Sequence, residues 1–482
     1  MSKVNLMWFR QDLRLEDNLA LLAAVNRGGP VVPVFIWAPE EESAWPPGGA
    51  SKWWLHHSLE SLQDDLARRG VRLVLRRGPT IETLLSLAKN TGATAVFWNR
   101  RYEPAAMQRD AKVQEALKQQ GLTAESYNAA LWHEPWTIQN QSGAPFRVFT
   151  PYWRHCLTKE DPLEPARAPA TLPAPRSWPS SLALRELELK PRLNWADGFG
   201  AIWRPGAAGA HRQLETFLDD AFAGYAEERN HPARPGTSRL SPHLHFGEVG
   251  PRQIWHAVRK VAGNGGRPRS HDWRRSAFLT ELGWREFAHH LLYHFPRTPG
   301  EPMRPEFGKF RWHQNQDWLR LWQRGQTGYP LVDAGMRELW TTGWMHNRVR
   351  MIVASFLVKD LLITWQDGAR WFWDTLVDAD LAQNTLGWQW TAGCGADAAP
   401  FFRVFNPTMQ AQKFDPDGEY IRRWCPELAK LSAKEIHEPA KLTAERLARA
   451  GVTFGKTYPS PVVSHAIARE VALEAFARVK NR

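Results

Sequence analysis

The chain has 482 residues, 43% of them apolar and 23% charged, which is too long for one ordinary core and typical of a soluble globular protein with two or more domains. Its formal charge is +12, yet the first 200 residues hold 24 Lys and Arg against 21 Asp and Glu, so most of the surplus lies in the C-terminal part, where it would steer a phosphate-rich polyanion. No apolar run is long enough to span a bilayer and no signal peptide opens the sequence; Cys156, Cys394 and Cys425 are too few and too far apart for a disulfide framework or a Cys-based zinc site, and a reducing cytoplasm is the expected compartment.

Within residues 1–130, short apolar runs at 4–9, 31–37, 71–75 and 94–98 alternate with amphipathic stretches such as 51–69 and 80–89. This alternation predicts a doubly wound parallel α/β domain with helices on both faces of the sheet. The first strand-to-helix turn, from Arg10 to Asn18, has neither a GxGxxG nor a GxxxxGK[ST] pattern, which excludes the dinucleotide Rossmann fingerprint and the Walker phosphate loop. Over 131–200, Pro162, Pro165, Pro169, Pro173, Pro175 and Pro179 break regular structure and predict a long interdomain linker. From 201 to 482 the period becomes helical, as in Leu214, Phe217, Leu218, Ala221, Phe222 and Tyr225, and the second domain is predicted to be all-α.

Four segments of that second part carry chemistry. Thr237, Ser238, Arg239, Leu240 and Ser241 place three hydroxyls and a guanidinium just before a helical stretch, an arrangement that can cradle a pyrophosphate and equally serves as a capping turn. In a helix predicted over 276–294, Glu281, Trp284 and Arg285 stand at i, i+3 and i+4, able to accept from, stack on and charge-pair with a flipped base; an exposed Glu281–Arg285 pair is the plainer reading. Asn347, Arg350, Met351 and Ala354 share one helical face that looks like a pocket floor, while His346, with no second ligand at i±3 or i±4, reads as a packed, hydrogen-bonded residue rather than a metal ligand. Between Asp378 and Trp390, the carboxylates of Asp378 and Asp380, the amide of Asn384 and the indoles of Trp388 and Trp390 fall close together in a chain with 26 Trp. That density suggests redox or stacking work beyond a Trp-rich core.

These four segments, in this order and preceded by Phe9-Arg10-x-Asp12-Leu13-Arg14, resemble the photolyase/cryptochrome family, closest to its class I cyclobutane pyrimidine dimer photolyases, over essentially the whole chain. The resemblance implies an α/β antenna domain, a connecting loop and a helical domain that holds FAD in a U-shape. Carried over by position, Tyr225 and Thr237, Ser238, Arg239, Leu240 and Ser241 would hold the FAD phosphates and ribityl chain. Asp378, Ala379 and Asp380 would contact the flavin and its ribityl or adenine part, with Arg350 paired to Asp378, and Asn384 would face flavin N5. Trp388, Trp365 and Trp312 match an electron-transfer relay whose spacing requires a path across separate helices. Glu281, Trp284, Asn347, Met351 and Trp390 match the lesion pocket, and Arg285 and Arg348 its phosphate contacts.

The function so implied is light-dependent DNA repair by a monomer. A cyclobutane dimer stacks and pairs poorly, so it is extruded from the duplex at lower cost than intact bases, and photoexcited reduced FAD splits it. Two other readings are a cryptochrome-type photoreceptor and a (6-4) photolyase. Asn384, the Glu281/Trp284/Trp390 set and the short stretch after about residue 475 argue against the first. Asn347 and Met351 in the 345–351 segment favour the cyclobutane dimer over the second. A second, antenna chromophore is expected. Ala105 and Ala106 stand where folate-binding relatives carry Asn-Glu, which leaves a deazaflavin, another flavin, a differently bound folate or an empty site.

Overall fold

Strand β1 (Val4–Phe9) is buried at every residue, and this is why its sequence runs apolar without alternating. The structure, a computed structural model, describes residues 3–264, 273–398 and 403–480. β1 pairs in parallel with β2 (Val31–Trp37) on one side and with β4 (Ala93–Asn99) on the other; β3 (Val74–Arg77) and β5 (Thr123–Tyr127) form the edges, giving the order β3-β2-β1-β4-β5. Each crossover carries a helix: α1 (Leu19–Asn26), α2 (Gly49–Ala67), α3 (Thr80–Thr91) and α4 (Pro104–Gln119). The single polar residue of β1, Asn5, is fully buried and satisfied: Nδ2 donates to Ala24 O and Gly28 O, both at 2.9 Å, and Oδ1 accepts from Arg27 at 2.8 Å. Asn18 caps α1 by accepting from Leu21 N at 3.0 Å.

The doubly wound α/β domain is therefore present, with two departures from its predicted strands. β5 has one buried residue, Ala124, and an exposed Glu125; its pairing with β4 makes it a strand where its own apolar content does not. β3 starts at Val74, because the register to β2 runs from Val34↔Val74 to Trp37↔Arg77, and Val71 and Leu73 are buried outside it. Inside the stretch predicted as linker, Phe149–Cys156 is a helix whose buried residues Phe149, Tyr152, Trp153 and Cys156 recur at helical spacing. Between Cys156 and Leu184 the described chain has no regular element, as the prolines require.

Past residue 200 the regular elements of the described chain are all helices. The molecule divides into two compact units, one of residues 1–220, 238–296 and 377–380, the other of 221–237, 297–376 and 381–482. In the first, the fully buried carboxylate of Glu248 accepts from Trp54 Nε1 at 3.0 Å, Gly206 N at 2.7 Å and the hydroxyl of Ser58, and also meets His243, so it ties α2 to the short helix Ser241–His245. In the second, buried Asp333 accepts from Thr327 N at 2.6 Å, Gly328 N at 3.0 Å and Tyr458 Oη at 2.8 Å. It anchors the helix Pro330–Thr342, which ends at Gly343 in the left-handed conformation, φ 68°.

Candidate flavin and lesion site

In the first unit the hydroxyl of Ser241 meets the carboxylate of Asp378. Ser241 Oγ donates to Asp378 Oδ2 at 2.6 Å. The backbone before it turns sharply at Arg239, whose φ of 51° is left-handed, and Gln213 Nε2 donates to Ser238 O at 3.0 Å. Asp380 Oδ2 lies 3.5 Å from His289 Nε2 and 3.9 Å from His245 Nδ1. Burial alone would raise this carboxyl; the neighbouring His289 and His245 imidazoles and the Arg285 guanidinium overcome it and hold Asp380 well below the usual carboxylate range. The two histidines were not among the residues picked from sequence. His289 stands four residues after Arg285 and His245 four after Ser241, a spacing that could have found them.

The helix predicted over 276–294 is observed as Ala277–His294, capped by Ser276, which accepts from Leu279 N at 3.4 Å. Glu281 and Trp284 are half-buried on it. Trp284 stacks on Phe149 with ring centroids 3.8 Å apart and planes 12° from parallel, so the helix hidden in the predicted linker braces one face of the indole. Arg285, expected as a phosphate contact, keeps a largely buried side chain that donates to Ala130 O at 2.7 Å and lies 3.7 Å from Glu286. Glu286 is buried; Oε2 accepts from Trp132 N at 2.9 Å and His133 N at 3.3 Å, while Oε1 has no hydrogen-bond partner among the described residues. Burial pushes this carboxyl up to about 8 despite Arg285 and the two backbone N–H donors.

The second unit holds Tyr225, Thr237, Asn347, Arg348, Arg350, Met351, Asn384, Trp390 and the tryptophans 312, 365 and 388. Arg350 Nε donates to Met345 O at 2.7 Å. Arg348 donates to Asn230 Oδ1 at 2.5 Å, lies 4.5 Å over the ring of Phe414 and reaches Met351 Sδ at 3.7 Å. Asn347, at the start of the helix Asn347–Ser355, is exposed. His346 caps that helix: Nδ1 accepts from Arg348 N at 3.2 Å and its own N–H donates to Glu338 Oε2 at 3.2 Å, a packed and hydrogen-bonded histidine.

Trp388 and Trp390 point opposite ways from the helix Leu381–Ala392, as two residues at 100° per step must. Trp388 is buried against Phe372, centroids 5.0 Å apart, and Trp322, 6.2 Å apart; Trp390 is half-buried. Between them, Gln389 Nε2 donates to Thr298 O at 2.6 Å and Glu301 O at 2.8 Å. Trp365 is buried at the start of the helix Trp365–Thr375, and Trp312 is half-buried against Phe310, centroids 4.3 Å apart. The depth of the three tryptophans thus falls off toward Trp312.

This donor set fits FAD. Ser238 and Arg239 supply a hydroxyl and a guanidinium suited to a pyrophosphate. Asn384 Nδ2 is spent on Ala369 O at 3.0 Å, which leaves Oδ1 as an acceptor for a ring N–H.

The other place where such a fold takes ligands is the crevice at the C-terminal ends of β1 and β4, where the strand order reverses. Here the charged side chains pair with one another. Arg10 pairs with Asp110 at 2.7 Å, Arg101 with Glu42 at 2.7 Å and Glu103 at 3.1 Å, and Arg109 with Glu42 at 3.0 Å, and the guanidiniums of Arg10 and Arg109 lie 4.4 and 5.4 Å from the centroid of the Trp8 ring.

A family model described as DNA photolyase matches residues 5–174, and one described as the FAD binding domain of DNA photolyase matches residues 278–478. A deoxyribodipyrimidine photo-lyase of Agrobacterium fabrum is 51% identical over 99% of this chain and 98% of its own. Cryptochrome-2 of Arabidopsis thaliana is 40% identical over 100% of this chain and 80% of its own. Among solved structures, a bacterial class III photolyase from Agrobacterium tumefaciens matches with a TM-score of 0.95 at 49% identity, covering 100% of this chain and 98% of that one; the motifs alone had leaned to class I. With both its α/β and its helical part matched and the Asp378/Asp380/Ser241 cluster in place, the chain belongs to the photolyase/cryptochrome family, as an enzyme of the deoxyribodipyrimidine photo-lyase kind with an FAD-binding domain.

Proposed function

We propose that the protein repairs cyclobutane pyrimidine dimers in UV-damaged DNA by light-driven electron transfer. The observation that carries this reading is Trp284, braced by Phe149 at 3.8 Å, with Glu281 one turn before it on the same helix. A rigid indole face and a carboxylate beside it suit an extruded base pair, which gains about 1–3 kcal/mol per base from stacking on an aromatic side chain. Glu281 accepts a hydrogen bond from a base edge; Asn347, Met351 and Trp390 serve as further base contacts, and Arg348 meets backbone phosphate. Arg285 has a different part: turned onto Ala130 O and set near Asp380, it supports the cofactor side rather than the DNA.

When bound, reduced FAD would supply, on illumination, the electron that opens the cyclobutane ring and would take it back afterwards. Asp378, with Ser241 on one oxygen, and Arg350 position the ring system; Asn384 offers Oδ1 to a ring N–H; Tyr225 and Thr237 to Ser241 hold the phosphates. Trp388, Trp365 and Trp312 return the cofactor to its reduced form, the buried residue nearest to it and the half-buried one nearest to solvent.

The test is repair of a duplex with a single thymine dimer, bound in the dark and then illuminated, beside an undamaged duplex and one with a (6-4) photoproduct. Selective binding and loss of the cyclobutane dimer are expected. Equal binding of damaged and undamaged duplex would sink the reading and favour the photoreceptor one, which the likeness to a plant cryptochrome supports.

A further inference from the structure

The C-terminal helix His465–Lys480 lays one face, Val471, Glu474, Ala475, Arg478 and Val479, along a cleft of about 510 Å³ whose opposite wall is the segment 306–313. That wall presents Lys309, Arg311, Trp312 and His313, and Leu362 lies behind them. Phe307 and Phe476, with ring centroids 6.0 Å apart, hold the two walls together. The start of the helix is pinned from below: His465 Nδ1 meets Asp360 Oδ1 at 2.5 Å, and His465 N donates to Tyr329 Oη at 3.0 Å. His313 is fixed as well, with Nδ1 at 3.1 Å from Leu361 O and its backbone N–H on Leu362 O at 2.7 Å.

The charges of this cleft do not cancel. Of its two carboxylates, Glu474 lies 3.7 Å from Arg478; Lys309 and Arg311 are exposed and make no ion pair among the described residues. A volume of this size accepts a molecule up to about that of a mononucleotide, its floor is apolar, its rim is cationic, and the half-buried indole of Trp312 forms part of its wall.

We propose that this cleft binds a small anionic one-electron donor and delivers its electron to Trp312. The proposal rests on the reading of Trp312 as the outer end of the relay. When Trp388 has given up an electron, the vacancy moves to Trp312 as an indole radical cation. An enediolate-type donor such as ascorbate monoanion then transfers one electron to that indole; the donor leaves as its one-electron radical and releases a proton to solvent, and Trp312 is neutral again. The basic rim raises the local concentration of an anionic donor and does nothing for a neutral one.

The test measures flavin photoreduction in the holoenzyme, under anaerobic conditions at low salt, against the concentration of ascorbate and, separately, of dithiothreitol, which is uncharged at pH 7. In the wild type the rate should saturate with ascorbate. In the double variant Lys309→Ala/Arg311→Ala it should fall about fivefold with ascorbate and stay unchanged with dithiothreitol. A rate linear in ascorbate up to high concentration, or an equal loss with both donors, overturns the proposal. Trp388→Phe separates the two readings: if it photoreduces like the wild type, the relay reading has failed, and the cleft then stands or falls on dark calorimetry. There, saturable ascorbate binding that the double variant loses supports an anion site, and its absence removes it.

Discussion

Gly368 lies against the indole of Trp388 so closely that a Cβ on it would stand 2.1 Å from Cη2 and 2.5 Å from Cζ3. The absence of a side chain there is what lets the helix Trp365–Thr375 approach the helix Leu381–Ala392 and seat Trp388. Gly368→Ala gains about 1 kcal/mol of helix propensity but overpacks the core at a cost of about 1–3 kcal/mol. A net loss of stability in urea and slower flavin photoreduction are expected. An unchanged midpoint together with unchanged photoreduction would show that Trp388 can move freely.

Trp388→Phe should abolish most photoreduction of oxidised flavin while leaving repair by enzyme reduced beforehand nearly intact, because in the proposed function this residue prepares the cofactor and does not touch the lesion. The smaller ring leaves a void beside Phe372 and Trp322, so stability should drop modestly as well. Flash photolysis of the variant reads the first effect, and wild-type photoreduction contradicts the assignment.

On the DNA side the three changes should separate. Trp284→Ala removes the platform braced by Phe149 and should cost about 1–3 kcal/mol of dimer binding per stacked base. Glu281→Ala should reduce repair yield and discrimination for the dimer by removing an acceptor from a desolvated pocket. Arg348→Ala should weaken damaged and undamaged DNA alike and lower the salt slope by about 1 or less, less because Asn230 and Phe414 already hold part of that side chain. Filter binding at two salt concentrations reads all three; a sequence-independent loss for Trp284→Ala would argue against a lesion pocket.

Glu286 gives the fold a pH dependence of definite sign. Its carboxyl titrates near 8 in the folded protein and near 4.5 when unfolded. Between those values the native state binds the extra proton, so stability falls as pH rises through that window and levels off above it. Glu286→Gln keeps an oxygen for Trp132 N and removes the titration. Relative to the wild type it should gain about 2 kcal/mol on going from pH 6 to pH 9, measured as urea midpoints at both values. Parallel midpoints at the two pH values would mean that Glu286 is charged in the folded state.

Much of this was legible in the residues themselves. An unbroken apolar run makes β1, a 100° step sends Trp388 and Trp390 to opposite sides of one helix, and Ser276 before an apolar stretch starts the helix that carries Glu281 and Trp284. The stripe Phe149, Tyr152, Trp153, Cys156 was legible too and was obscured by the prolines downstream of it.

Local pattern could not reach the rest. β5 exists because β4 offers it hydrogen bonds, and Asp378 meets Ser241 across 137 residues of chain. The arginines at the mouth of β1 and β4 could as well have faced a ligand as Glu42, Glu103 and Asp110; the choice depends on which carboxylates the crossovers bring there. The residues alone gave away most of the elements, the family and the kinds of residue at the site, because periodicity and motif order are local properties. Only the tertiary structure decided which arginine is turned inward, which carboxyl is held charged at Asp380 and which is pushed toward neutrality at Glu286, because desolvation and Coulomb energy depend on neighbours that are distant in the chain.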